Sequence, residues 1–427
     1  MSYPRYPKYK DSSIPWLGNV PEGWGVSHLK YVVSMKSGDQ ISSDEIEGNG
    51  IYPVYGGNGL RGYTTKFTHE GWFPLIGRQG ALCGNVNYAK GKFWASEHAV
   101  VVSPKIQCHV FWLGELLRSM NLGQYSLTAA QPGLSVDAIG NLRIPFPDLN
   151  EQSAIATFLD RETARIDALV AKKTRFIELL KEKRQALITE AVTGKFDVAT
   201  GKSYPKYKDS GVEWLGDVPE HWDVKRLRHV ASFKNSTVDK KAYDGQGTVS
   251  LCNYTDVYYN EFITPDLPLM LATASSAEIE QFSLKKGDVL ITKDSEDPTD
   301  IGIPSLVAEE MPGVVCGYHL TMIRGDNLDT ARLLHRILQS HPTQAHFFVE
   351  APGITRYGLS QDAIGDLRCC LPPRKERGQI VDRLDNETAR IDVLVEKTGR
   401  SIGLLKERRA ALITAAVTGK IDVREMI

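Results

Sequence analysis

The sequence has few of the features that mark a disulfide frame, a membrane span or a catalytic centre. Its six cysteines (Cys83, Cys108, Cys252, Cys316, Cys369 and Cys370) include no CxxC pair. They read as reduced thiols of a cytoplasmic protein, with neither a disulfide frame nor a zinc site. Cys369 and Cys370 sit in an apolar run and read as core. No apolar stretch approaches the ~20 residues that span a bilayer. The opening Met1-Ser2-Tyr3-Pro4-Arg5-Tyr6 lacks the apolar centre of a signal peptide, so secretion is not expected. Charge of one sign is missing too, with 51 Lys and Arg against 52 Asp and Glu and a net charge of −1. A dedicated nucleic-acid binder usually shows a basic excess or a basic face. A balanced total can conceal such a face or leave phosphates to partners, so charge decides nothing here.

Motifs of catalysis are missing as well. Gly201-Lys202-Ser203 has the end of a phosphate-binding loop, but Phe196 stands where the motif needs glycine. Gly56-Gly57-Asn58-Gly59 lacks the strand–GxGxxG–helix setting of a dinucleotide site. No Asn-Pro-Pro-aromatic or Asp-Pro-Pro-aromatic tetrapeptide supports an adenine methyltransferase, and no HExxH or close His/Cys cluster supports a metal. No catalytic, cofactor-binding or metal-binding residue is therefore assigned.

What the sequence does contain is itself, twice. Between residues 6 and 24, 14 of 19 positions recur at an offset of 198, including Tyr6-Pro7-Lys8-Tyr9-Lys10-Asp11-Ser12 as Tyr204-Pro205-Lys206-Tyr207-Lys208-Asp209-Ser210. Leu159 to Val198 recurs as Leu384 to Val423 with 29 of 40 identities. Just upstream, Gly133-Leu134-Ser135 and Asp137-Ala138-Ile139-Gly140 return as Gly358-Leu359-Ser360 and Asp362-Ala363-Ile364-Gly365. Residues 37–128 and 234–350, between these anchors, share little. Two like frames thus hold two unlike inserts, a pseudo-two-fold arrangement rather than a solenoid, which would repeat more often and at shorter periods.

Residues 151–191 contain no proline or glycine, which predicts one long helix of ~60 Å at 1.5 Å per residue. Leu159, Ile166, Val170, Ile177, Leu180 and Leu187 form one apolar seam at steps of seven, four and three. Leu384, Ile391, Val395, Ile402, Leu405 and Leu412 repeat it. Neither seam can be buried alone, so the two helices should pack as an antiparallel coiled coil. Thr193-Gly194-Lys195 and Thr418-Gly419-Lys420 should end them, glycine taking the left-handed position. Lys172, Lys173, Arg175, Lys181, Lys183 and Arg184 read as a solvated or partner-facing surface.

The inserts read as mixed α/β with a shared order: a strand, a polar loop with a basic residue, then a strand led by histidine. In the first this is Phe73–Ile76, Gly77-Arg78-Gln79-Gly80 and His98–Val102; in the second it is Gly287–Thr292, Lys293-Asp294-Ser295 and His319–Arg324. A common fold with divergent loops suits recognition of two different targets. The expected class is α+β, with α/β domains at 1–150 and 199–375 and long helices at 151–198 and 376–427. His98 and His319 read first as strand-start hydrogen-bonding residues. A coiled-coil protein adaptor with peptide-binding inserts, and an enzyme with an unfamiliar site, remain rival readings.

The layout resembles the specificity subunits of type I restriction-modification systems over nearly the whole chain. The opening segments carry the resemblance, as do Pro147 with Glu151-Gln152, Leu180-Lys181-Glu182-Lys183-Arg184 and Thr193-Gly194-Lys195. So do Tyr52-Pro53-Val54-Tyr55-Gly56-Gly57-Asn58-Gly59 and Ile76-Gly77-Arg78-Gln79-Gly80 in the first insert, and Gly287-Asp288-Val289-Leu290 and Gly317-Tyr318-His319-Leu320 in the second. The resemblance implies that each insert is a target-recognition domain reading one half of an asymmetric, bipartite DNA site. The helices would set the spacer between the halves. It also implies methyltransferase subunits, two of them, carrying S-adenosylmethionine, and motor-nuclease subunits using ATP and Mg, with no cofactor on this chain. Side chains that pair with base edges are sought in Asn58, Arg61, Tyr63, Arg78, Gln79 and His98 of the first insert. In the second they are sought in Asn253, Tyr254, Lys293, Asp294, Ser295, His319 and Arg356.

Overall fold

The computed structural model describes residues 3–126, 133–198 and 200–426. Packing gathers the chain into two compact units, Met1–Thr174 with Gly399–Ile427, and Arg175–Thr398. Each unit holds one insert, the start of one long helix and the end of the other.

The long helices run Leu149–Val192 and Arg374–Val417, 44 residues each. Asp148 Oδ1 accepts the Glu151 N–H at 2.9 Å and so satisfies one of the unpaired amides at the first start. At the ends, Gly194 and Gly419 adopt φ of +70° and +72°. The Lys195 and Lys420 N–H groups then donate back to Glu190 O and Ala415 O at 2.9 and 2.8 Å. This is the left-handed stop that the Thr-Gly-Lys triplets predict.

Every expected seam residue is buried or half-buried. In the first unit Leu159, Ile166 and Val170 share a core with Leu405, Leu412 and Ala416. In the second, Leu187, Ile188 and Ala191 share one with Ile380 and Leu384. In each unit the start of one helix packs on the end of the other, which is antiparallel packing. The seven-residue gaps in the apolar seam are filled by polar residues. Thr163, Thr388 and Thr398 are buried, and the first two quiet their hydroxyls on Leu159 O and Leu384 O at 2.7 and 2.8 Å.

Arg184 departs from the expected solvated surface. It lies in the seam, 3.0 Å from Asp392 and paired with Glu261. Its duplicate, Arg409, donates to Asp167 Oδ1 at 2.9 Å. A seven-residue step in the apolar pattern leaves one seam position unread, and a charged residue there looks like a surface residue.

In the first insert six strands form one sheet, ordered Val33–Ser37, Ala99–Pro104, His69–Gly77, Val86–Ala95, Tyr52–Gly56 and Gly59–Thr64. In the second, a five-stranded sheet begins Ala231–Asn235, Leu320–Gly325, Asp288–Thr292. Those three strands match the first three of the other insert, antiparallel neighbours in both. The inserts diverge beyond them. The second continues through Pro304–Val307 and Phe262–Ile263 and adds a separate three-stranded sheet around Gly247–Cys252.

The duplicated opening segments fold as short hairpins, Tyr9–Asp11 on Asn19–Pro21 and Tyr207–Asp209 on Asp217–Pro219. Lys195 Nζ donates to Leu215 O and Asp217 O at 3.2 and 2.8 Å. Lys420 Nζ repeats the clasp on Leu17 O and Asn19 O at 2.9 and 2.7 Å, and the Asp422 N–H donates to Pro4 O at 2.9 Å. The second hairpin is thus gripped by the helix that precedes it in sequence, the first by the helix that ends the chain.

An ion cluster fastens the second insert to both helices within its unit. Arg336, 2% exposed, reaches Asp385 and Glu261 at 2.6 Å each. Arg332 joins Asp385 at 2.6 Å and Asp382 at 2.8 Å, and Gln185 Nε2 donates to Gln339 O at 2.7 Å. All six cysteines are free thiols, with Cys369 and Cys370 buried as expected. Among the described residues no helix is long and apolar enough to cross a membrane.

Candidate nucleic-acid interface

The shared three-strand core presents the same loop in both inserts, held by the same backbone bonds. In the first, the Arg78 N–H donates to His98 O at 2.8 Å and the Leu134 N–H to Arg78 O at 2.9 Å. In the second, the Lys293 N–H donates to His319 O at 3.0 Å and the Leu359 N–H to Lys293 O at 2.8 Å. The next residue bridges to glycine in each case, Gln79 to Gly133 and Asp294 to Gly358. The repeated Gly-Leu-Ser triplets are therefore anchors for the variable loop. Arg78 corresponds to Lys293, Gln79 to Asp294 and His98 to His319, so equal backbone positions carry unequal side chains.

In the first insert Gln79 Oε1 lies 3.1 Å from His98 Nδ1, and Arg78 Nη1 donates to Ser37 Oγ at 3.1 Å. Two glycines bring a second loop against this one. A Cβ on Gly77 would lie 2.3 Å from Gly57 O, and one on Gly57 would lie 3.2 Å from His98 O. Asn58, the exposed residue after Gly57, thereby sits beside the Arg78-Gln79 loop, and its Oδ1 lies 3.5 Å from Asn85 Nδ2. Arg61 lies over Gly56 on the following strand and is exposed. Tyr63 stands apart, half-buried, its backbone tied to Glu47.

In the second insert Tyr254, Asp294, Ser295, His319 and Arg356 line one open cleft of about 630 Å³. His319 Nδ1 lies 2.6 Å from Asp294 Oδ1, and Arg356 Nη2 lies 2.8 Å from the same oxygen. Lys293 Nζ is 3.8 Å from Asp294 Oδ2. The hydrogen bond from Arg356 to Asp294 raises the Arg356 pKa above the ordinary guanidinium value. Asn253 does not join the cleft surface. It is buried and caps the helix Tyr254–Tyr259, shaping the wall from behind.

Sequence reading missed Tyr258, Tyr259 and Lys240, which complete the cleft with Glu296, Asp297 and Asp300. The signal was there, since tyrosines at 254 and 258 share one face of a helical turn, and their rings stack at 5.7 Å. Among the described residues no group of three or more His, Cys, Asp or Glu is placed to hold a metal ion.

Residues 21–179 match the family described as the type I restriction modification DNA specificity domain. The chain is 39% identical over 189 residues to the type I restriction enzyme EcoprrI specificity subunit of Escherichia coli, 41% of this chain and 47% of that one. It thus spans about half the length of that relative. The fold is similar to a chain solved in work on complex assembly and conformational transition of the type I R-M system, with a TM-score of 0.64, 16% identity and coverage of 93% and 98%. It is also similar to the HsdS subunit from Thermoanaerobacter tengcongensis, with a TM-score of 0.51, 15% identity and coverage of 94% and 98%.

Proposed function

We propose that this chain reads DNA for a type I restriction-modification complex, a reading supported by the match of residues 21–179 to the type I restriction modification DNA specificity domain and by a fold similar to that of the HsdS subunit from Thermoanaerobacter tengcongensis. It is a recognition scaffold, not a catalyst. Target-recognition domains at 1–150 and 199–375 each read one half of an asymmetric bipartite site, and the helices at 151–198 and 376–427 set the spacer between the halves.

One observation carries this reading: a single backbone anchor, used twice, that presents Arg78, Gln79 and His98 in one insert and Lys293, Asp294 and His319 in the other. A twice-used scaffold with altered side chains suits two half-sites of different sequence, because base edges are told apart by the donors and acceptors offered to them. The site residues are Asn58, Arg61, Arg78, Gln79 and His98, with Tyr254, Lys293, Asp294, Ser295, His319 and Arg356; of the other two candidates, Asn253 supports the cleft wall from behind and Tyr63 stands apart.

Methyltransferase subunits, two of them, dock on the helical region and bring S-adenosylmethionine; motor-nuclease subunits bring ATP and Mg chemistry, and the assembly works in the cytoplasm. Support for the docking comes from apolar residues that the seam leaves out. Leu169 and Leu179 on the first helix and their duplicates Leu394 and Leu404 on the second are all exposed, so each unit offers one apolar residue from each helix at matching places, as two like partners would need.

A genome-wide map of modified adenines, with the gene intact and deleted in its host, tests the proposal. Deletion should erase one asymmetric motif made of two parts with a fixed gap. Loss of an undivided or palindromic motif would contradict the two-insert ruler. Binding of short duplexes by the complex should weaken steeply with salt, as phosphate neutralisation requires. Salt-insensitive capture of peptides would favour an adaptor instead.

A further inference from the structure

The corresponding loops differ in how their central residue is used. Gln79, beside His98, faces solvent itself. Asp294 does not, because its side chain is 19% exposed and that of His319 16%, while Arg356 above them is 58% exposed. The three form a stack ordered from inside to outside. With the imidazole proton on Nδ1, both His319 and Arg356 donate to the same oxygen, Asp294 Oδ1. Arg356 Nη2 also lies 3.1 Å from His319 Nδ1, and Tyr318 adds a further hydrogen bond to the guanidinium; with five N–H donors in all, it keeps a pair to offer outward. The backbone beneath it is closely backed as well, since a Cβ on Gly353 would lie 2.3 Å from Arg356 O.

Building on the DNA-reading role proposed above, we propose that Arg356 reads a guanine in the half-site of the second insert, and that Asp294, held by His319, is its positioning residue. A forked donor of fixed orientation matches guanine O6 and N7, the pairing that arginine makes most readily with a base. A phosphate contact is disfavoured by the surroundings. Glu296, Asp297 and Asp300 line the same cleft and would repel a phosphate, whereas a neutral base edge meets no such repulsion. Lys293 and Arg356 flank the one inner carboxylate, so the loop itself is not left with an uncompensated negative charge.

The test uses the full chain assembled with its methyltransferase partner, presented with a pool of duplexes in which both half-sites are randomised. Bound duplexes are sequenced for the native chain, Arg356→Ala, Arg356→Gln and Asp294→Asn, with thermal unfolding of each as a control for folding. Arg356→Ala should relax one guanine position in one half-site, lowering preference there by about ten- to a hundred-fold. The other half-site should be untouched. Arg356→Gln should shift that position towards adenine, and Asp294→Asn should weaken discrimination at the same position by a smaller factor. An unchanged motif in folded Arg356→Ala would overturn the assignment, as would equal weakening against all sequences. If the native complex selects no motif at all, it is the DNA-reading role that fails.

Discussion

At the scale of single residues, the most constrained side chains lie away from the variable loops. His335 is 1% exposed, and its Nε2 faces Gln339 Nε2 at 3.3 Å. Burial, with Arg336 adding to it, pushes its pKa down to about 3. The folded protein therefore keeps it neutral where the unfolded chain takes up a proton, and stability rises with pH between about 3 and the unfolded value of ~6.5. Burial would raise the Glu261 and Asp385 carboxyls, yet Arg336 with Arg184 or Arg332 holds both below the usual range. Their contribution is lost only as the pH falls below the unfolded carboxylate values of about 4. Acidification from pH ~6.5 to ~4.5 should thus cost about 2–3 kcal/mol through His335. Urea unfolding of native protein and His335→Gln across that interval checks it, and a native slope retained in the variant would refute it. None of this was legible in the sequence. Arg332, His335 and Arg336 look like one polar face of an ordinary helix, and their partners Glu261, Asp382 and Asp385 are fixed by tertiary packing alone.

At the scale of elements, the long helices and their stops were the most legible part, because period and chain-breaking residues are local signals. The polar seam positions were not, since Thr163, Arg184, Thr388 and Arg409 break the apolar pattern that defines a seam. The terminal glycines yield a sharp expectation. A methyl on Gly419 would stand 2.4 Å from Pro21 Cδ, at φ +72°. The left-handed backbone alone costs ~1–2 kcal/mol for a residue with a Cβ. Gly419→Ala should therefore lose at least about 2 kcal/mol in chemical denaturation. Gly399 lies within the second helix with nothing near its missing Cβ, so Gly399→Ala should gain about 0.5–1 kcal/mol. Equal effects of the two substitutions would show that helix propensity, rather than the clasp, governs Gly419.

At the scale of the whole molecule, the duplication was plain because frame and anchors are written in nearly the same letters twice. The shared strand order of the inserts was also legible, from the basic loop and the histidine-led strand. What the sequence withheld was the use made of each loop. Gln79 and Asp294 occupy one backbone position, yet only the tertiary contact with Arg356, 62 residues away in sequence, separates a side chain that faces solvent from one that holds another. The tyrosine wall was lost for the same reason, since its helix belongs to the part of the second insert without a counterpart in the first.

The two lysine clasps bear on the genetics of the chain. One joins neighbours in sequence and the other joins its last residues to its first, yet they are the same joint. The two joints are built alike, so either could be bridged or left open without altering the contacts within its unit. A gene rearranged so that a short linker follows residue 426 and leads into residue 3, with new ends between Thr200 and Ser203, should encode the same folded molecule. Its unfolding midpoint should stay within a few degrees of the original, a shift worth about 1 kcal/mol, and its DNA motif should be unchanged. The order in which the two inserts are translated should then leave the fold of each unchanged.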